Sequence, residues 1–90
     1  MTHAITLENL GTENKNRVNI GRLSLWFSYS TIVAYDDTGD FHCSENVWSK
    51  TTGKLLNEIC PNKGHREPRD VFERNLVKTL SHYGLVTADN

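Results

Sequence analysis

No stretch of this chain approaches the ~20 consecutive apolar residues that a membrane-spanning helix requires. Nor does the opening "MTHAITLENLGTENK" carry the basic start, apolar core and small-residue cleavage site of an export signal. The expectation is a cytoplasmic protein, or one made and used inside a host cell, with no membrane partner. Net charge is almost absent as well: 10 Lys+Arg stand against 11 Asp+Glu, a formal −1. With so little global field, broad attraction to duplex DNA or anionic lipid is not expected, and any basic patch must be local. Cysteine is scarce. Cys43 and Cys60 can pair only once, and without an export signal reduced thiols are expected.

What is present is a globular composition, 37% apolar and 23% charged, too apolar for disorder. Its 90 residues make one domain with a single core. Residues 4–10, "AITLENL", read as a short strand with Ile5 and Leu7 on one face. "GTENKN", residues 11–16, reads as a hairpin loop. Residues 17–29, "RVNIGRLSLWFSY", carry the clearest period of two. Leu23, Leu25, Phe27 and Tyr29 point one way, and Arg22, Ser24, Trp26 and Ser28 the other. Gly21 reads as a turn or a bulge. "TIVAYD" at 31–36 and "FHCSE" at 41–45 are further strands around the tight-turn signal "DDTGD".

The period then lengthens. Ser49 suits a helix N-cap, and Thr52, Leu55, Leu56 and Ile59 fall on one helical stripe. Gly53 inside that helix costs about 1 kcal/mol against alanine, so either another backbone or a ligand should pack closely there. After the polar connector 61–67, Pro68 opens a second helix whose buried stripe is Phe72, Leu76, Leu80 and Tyr83. Gly84 marks its end, and 85–90 forms a tail. The expectation is an α+β domain: a three- or four-stranded antiparallel meander over 4–45, then helices over 49–60 and 68–83 packed on one face of the sheet.

Chemistry is hard to find in this pattern. "WSKTTGKL" resembles a phosphate loop only in part. The Walker form needs an earlier glycine, where Trp48 stands, and a hydroxyl after the lysine, where Leu55 stands. A weaker anion site remains at the helix start: Ser49, Lys50, Thr51, Thr52 and Lys54, beside the plain alternative of a capped helix with solvated lysines. His42, Cys43, Cys60 and His65 fit only half a zinc pattern, and no metal or cofactor is expected. No nucleophile signature is present, so no enzyme is expected and no catalytic residue is named. Two features suit a partner instead. Trp26 sits among serines on the polar phase of its strand, alongside Arg22. "KGHREPR" gathers Lys63, His65, Arg66 and Arg69 in the chain's one basic cluster.

"LSLWFSYSTIVAYD", "SENVWSKTTGKLLNEI" and "FERNL" together resemble a family of small uncharacterised phage and bacterial proteins. Its pattern is an F-S-Y strand followed by N-x-W-S-x-T-T-G-K, matched here at Asn46, Trp48, Ser49, Thr51, Thr52, Gly53 and Lys54. The resemblance implies a setting and no activity: a small phage- or prophage-encoded protein that binds and inhibits or redirects a host protein or nucleoprotein complex, of anti-defence, anti-CRISPR or host-takeover type. A nucleic-acid-binding accessory protein and an anion- or nucleotide-binding domain are the alternatives. A homodimer stays open, because a meander has two edges.

Overall fold

The computed structural model describes residues 5–11, 14–46 and 50–85, with the side chains of residues 50 and 51 excepted. Trp48 and Ser49, the expected corner and N-cap, lie outside the described residues. Five antiparallel strands follow in chain order: β1 (Ile5–Asn9), β2 (Lys15–Ile20), β3 (Leu23–Ser28), β4 (Thr31–Asp37) and β5 (Asp40–Ser44). Helix α1 (Lys50–Ile59) comes next, then a 3-10 turn over Lys63–His65, a short strand β6 (Arg66–Glu67) and helix α2 (Arg69–His82). β6 pairs in parallel with β5, Cys43 opposite Arg66 and Ser44 opposite Glu67, and completes a six-stranded sheet.

The fold is α+β, but the strand count exceeds the expected three or four. The 17–29 run is two strands, not one. Gly21 takes φ 59°, a left-handed conformation that glycine adopts without steric cost, and Ile20 folds back opposite Leu23. Arg22 therefore sits in the turn and not on the face of Trp26. Tyr29 leaves its expected face too: it lies past the end of β3 with φ 56° and is exposed. The "DDTGD" turn forms with Thr38 at φ 55° and Gly39 at φ 92°, two successive left-handed residues whose twist suits a hairpin. β6 has only two residues inside a polar connector, too few for any alternation to show.

A second correction concerns the layers. The helices do not share a face. Phe72, Leu76, Leu80 and Tyr83 of the α2 segment pack with Ile20, Leu23, Leu25 and Tyr35. Leu55, Leu56, Ile59 and Cys60 of the α1 segment pack with Val33, Ala34, Cys43 and Trp26. The sheet lies between them. A bulge opposite Trp26 and Phe27 gives β4 one extra residue, so Val33 and Ala34 both belong to the α1 cluster. Two apolar faces need two covers, and the chain crosses the sheet edge through β6 to supply the second.

Specific bonds hold each cover in place. The Ser28 and Thr52 hydroxyls meet at 2.7 Å in a buried contact between β3 and α1. Arg69 Nη1 donates to the Ile32 carbonyl at 3.0 Å, and Tyr83 Oη donates to Asp37 Oδ1 at 2.6 Å. These tie the two ends of α2 to the two ends of β4. Gly84 at φ 74° closes the helix, with Leu85 N–H donating to Leu80 O at 2.9 Å and Gly84 N–H to Ser81 O at 3.0 Å. That pair of bonds is the Schellman arrangement. Cys43 and Cys60, separated by 17 positions, are joined as a disulfide on the α1 face. The expectation of reduced thiols is overturned because a strand and a helix end bring the two cysteines together.

Candidate functional site

Two surfaces hold the residues with binding chemistry. The first is a cleft of about 650 Å³ between the end of β5, the outer side of α1, the 3-10 turn and β6. Lys54, Lys63 and Arg66 line it, with Asn46, Asn57 and Glu45. Arg66 is held firmly. Its Nε and Nη2 donate to the Cys60 carbonyl at 3.1 and 3.0 Å, and Nη2 also donates to Asn57 Oδ1 at 2.9 Å. Among the described residues the ion pairs are Arg17–Glu8, His42–Asp40, His42–Glu67 and Arg69–Glu73. Among the described residues, the three cations of the cleft thus have no carboxylate within ion-pair distance. Gly53 also lines the cleft, and a Cβ there would stand 2.9 Å from Asn46 Nδ2. The nearest neighbour of that position is therefore the Asn46 side chain and not another backbone.

The backbone that carries Arg66 is fixed from the opposite face of the sheet. Glu67, next in β6, accepts from Asn75 Nδ2 of α2 at 3.2 Å and meets His42 Nδ1 at 3.1 Å. His42 Nε2 meets Asp40 Oδ2 at 3.0 Å, and the ring stacks on Tyr35 at 4.9 Å. Burial alone would lower the imidazole pKa. The hydrogen bonds and charges of Asp40 and Glu67 outweigh it and raise the value above the ordinary range. Each ring nitrogen thus faces a carboxylate oxygen, an arrangement that favours the protonated ring, in which both nitrogens donate.

The second surface is the part of the α1-side sheet face that α1 leaves open. Trp26 is half-buried at the edge of the α1 cluster and meets Phe41 edge to face at 5.5 Å. Arg17 lies over the indole with its guanidinium carbon 5.7 Å from the ring centre. A ladder of polar bonds extends outward. Arg17 Nε donates to Glu8 Oε2 at 2.6 Å, Asn19 Nδ2 to Glu8 Oε2 at 2.8 Å, and Ser24 Oγ to Asn19 Oδ1 at 2.8 Å. The bonds from Asn19 and then Arg17 hold the Glu8 carboxyl below the usual carboxylate range. Phe41 is 40% exposed. Beside it in register, Asp36 Oδ1 is buried with no hydrogen-bond partner among the described residues.

The expected site residues are partly gathered and partly dispersed. Lys54, Lys63 and Arg66 come together in the cleft, although Lys54 lies 12 positions from Arg66 in the numbering. His65 stands apart, lining a smaller hollow with Phe41, Ile59 and Pro61. Arg69 is engaged with Glu73, the Ile32 carbonyl and the Phe72 ring, and serves the seating of α2. Arg22 is in its turn. The anion site at the start of α1 does not assemble around Thr52, whose hydroxyl is buried against Ser28. Ser49 and the side chains of Lys50 and Thr51 lie outside the described residues. His42 and Cys43 point to opposite faces, with Cys43 bonded to Cys60, so the half-pattern for zinc is not brought together. Phe41, Arg17 and Asn57 are the residues that sequence reasoning missed. Strand register and helix position bring them to the sites, and neither can be read from spacing.

The molecule is thus a small α+β domain with helices on both faces of a mixed sheet and no long catalytic loop among its described residues. The chain belongs to the family of unknown function DUF8033, whose model matches residues 2–74. No curated protein and no solved structure matches it.

Proposed function

We propose that this protein is a non-enzymatic binding module that occupies the surface of a partner protein or nucleoprotein complex with the open face of its sheet. One observation carries the reading: Trp26, Phe41 and Arg17 form a contiguous cluster at the margin of the α1-covered sheet face, with Trp26 half-buried against the α1 cluster and Phe41 exposed. Trp and Arg are the residues most often found where binding energy concentrates. Their arrangement here, an aromatic centre inside a polar ladder, matches the anatomy of protein interfaces. The cluster also sits on paired strands, so little ordering entropy is lost on docking. The setting we propose is a phage- or prophage-encoded inhibitor of a host complex acting in the cytoplasm. The F-S-Y strand and the N-x-W-S-x-T-T-G-K stretch support that setting by resemblance alone.

The test is capture of a partner from host lysate by the wild-type chain and by Phe41→Ser and Arg17→Ala variants. A partner held near one-to-one by the wild type and lost about tenfold or more in each variant is the expected result. Retention of the same partner by both variants would contradict the reading, as would stoichiometric capture of nothing at low salt.

A further inference from the structure

We propose that the cleft between α1 and β6 binds a phosphate group, carried by a nucleotide or by a nucleic-acid backbone. The site is separate from the aromatic face. Lys54 comes from the second turn of α1, Lys63 from the 3-10 turn and Arg66 from β6. Like charges gathered in one cleft repel one another, and among the described residues no carboxylate is paired with any of the three. Lys54 and Lys63 are exposed, and among the described residues neither side chain makes a hydrogen bond or ion pair. Glu45 is the one carboxylate that lines the cleft against these three cations, and a bound anion compensates the remaining positive charge.

Arg66 gives the site its direction. Nε and Nη2 donate to the Cys60 carbonyl and Nη2 also to Asn57, while Nη1 has no hydrogen-bond partner among the described residues. A guanidinium fixed on one side presents the other to a ligand at small entropic cost. Its strand is itself pinned from the far face through Glu67 to Asn75 and His42. Three cations around one compact group suit a phosphoryl dianion better than the single carboxylates of an acidic peptide. The volume of about 650 Å³ exceeds what phosphate alone fills and is within the range of small-molecule sites, leaving room for a nucleoside. The N-terminus of α1 plays no part in this assignment, since Thr52 is turned into the core.

The experiment is an NMR titration of the full chain at low salt, following backbone amides and the arginine Nε–H signals. Inorganic phosphate, adenosine monophosphate and a short single-stranded oligonucleotide are the probes. The expected result is saturable shifts at Arg66, Asn57, Lys54 and Lys63. The double variant Lys54→Gln/Lys63→Gln, both changes being at exposed positions, should weaken binding about tenfold or more with an unchanged melting temperature. Phe41→Ser should leave the affinity as it is. Tighter binding of the oligonucleotide assigns the phosphate to a nucleic-acid backbone, and tighter binding of the mononucleotide assigns it to a free nucleotide. No shift with any probe at millimolar concentration would overturn the proposal. So would an oligoglutamate peptide that binds as tightly as the best phosphate probe.

Discussion

A glycine within a ten-residue helix is a local weakness with a local cause. At Gly53, a Cβ would press on Asn46 Nδ2 at 2.9 Å. Alanine should gain about 1 kcal/mol of helix propensity, but only if the amide yields. We expect Gly53→Ala to raise stability by clearly less than that in the wild type, and by nearly all of it once Asn46→Ala has removed the neighbour. Urea denaturation of the four chains of this cycle measures the coupling, and equal gains in both backgrounds would contradict the contact. His42 gives a second prediction. Its folded-state pKa is raised by Asp40 and Glu67, so its stabilising contribution is complete below the ordinary value of about 6.5 and is lost as pH rises through the raised value. His42→Gln should flatten the fall in urea midpoint between about pH 6 and pH 8.5. An unchanged fall would show that the slope comes from elsewhere.

Among the elements, α2 supplies the helical side of one core. Phe72 is fully buried and packs on Tyr35 with ring centres 5.5 Å apart. Phe72→Ala should cost about 3–5 kcal/mol, out of a total that is roughly 5–13 kcal/mol for a chain of this length. Chemical denaturation would check it, and a loss under about 1 kcal/mol would be inconsistent with a filled core at that position. α1 is held differently, by the Ser28–Thr52 contact and the Cys43–Cys60 disulfide. Closing a loop of about this size is worth roughly 3 kcal/mol in the chain-entropy view. A reductant should therefore lower the urea midpoint, and an unmoved midpoint would exclude a stabilising crosslink.

The helices were legible because their stripes are long and periodic: Thr52, Leu55 and Leu56 are buried, as are Phe72 and Leu76. The hairpin inside 17–29 was not read as two strands, although the apolar positions shift from even (Val18, Ile20) to odd (Leu23, Leu25, Phe27) across the Gly21–Arg22 turn, as a two-residue reversal requires. The second face was hidden by the bulge, which buries Val33, Ala34 and Tyr35 in succession and erases the period of two. For the candidate sites, Trp26 and the basic run 63–69 could be singled out from the sequence, and the structure places Trp26 beside Phe41 and Arg17, and Lys63 and Arg66 in the cleft. The pairing of Trp26 with Phe41 and Arg17, and of Arg66 with Lys54, depends on strand register and on β6, which spacing does not encode.

On the scale of the whole molecule, a near-neutral chain gathers Lys54, Lys63 and Arg66 where three separate elements meet, apart from its aromatic cluster at Trp26 and Phe41. β1 is the outer strand, with Ile5 and Leu7 exposed at 68% and 69% on the α2 side. The central claim is that a partner docks on the opposite face, around Trp26 and Phe41. Hydroxyl-radical footprinting of the chain, free and with its captured partner, addresses this directly because aromatic side chains report their own exposure. Protection of Phe41 and Trp26, with Tyr29 and Val77 labelled as in the free chain, is the predicted result. Phe41 and Trp26 labelled equally in both states, with protection falling elsewhere, would contradict it.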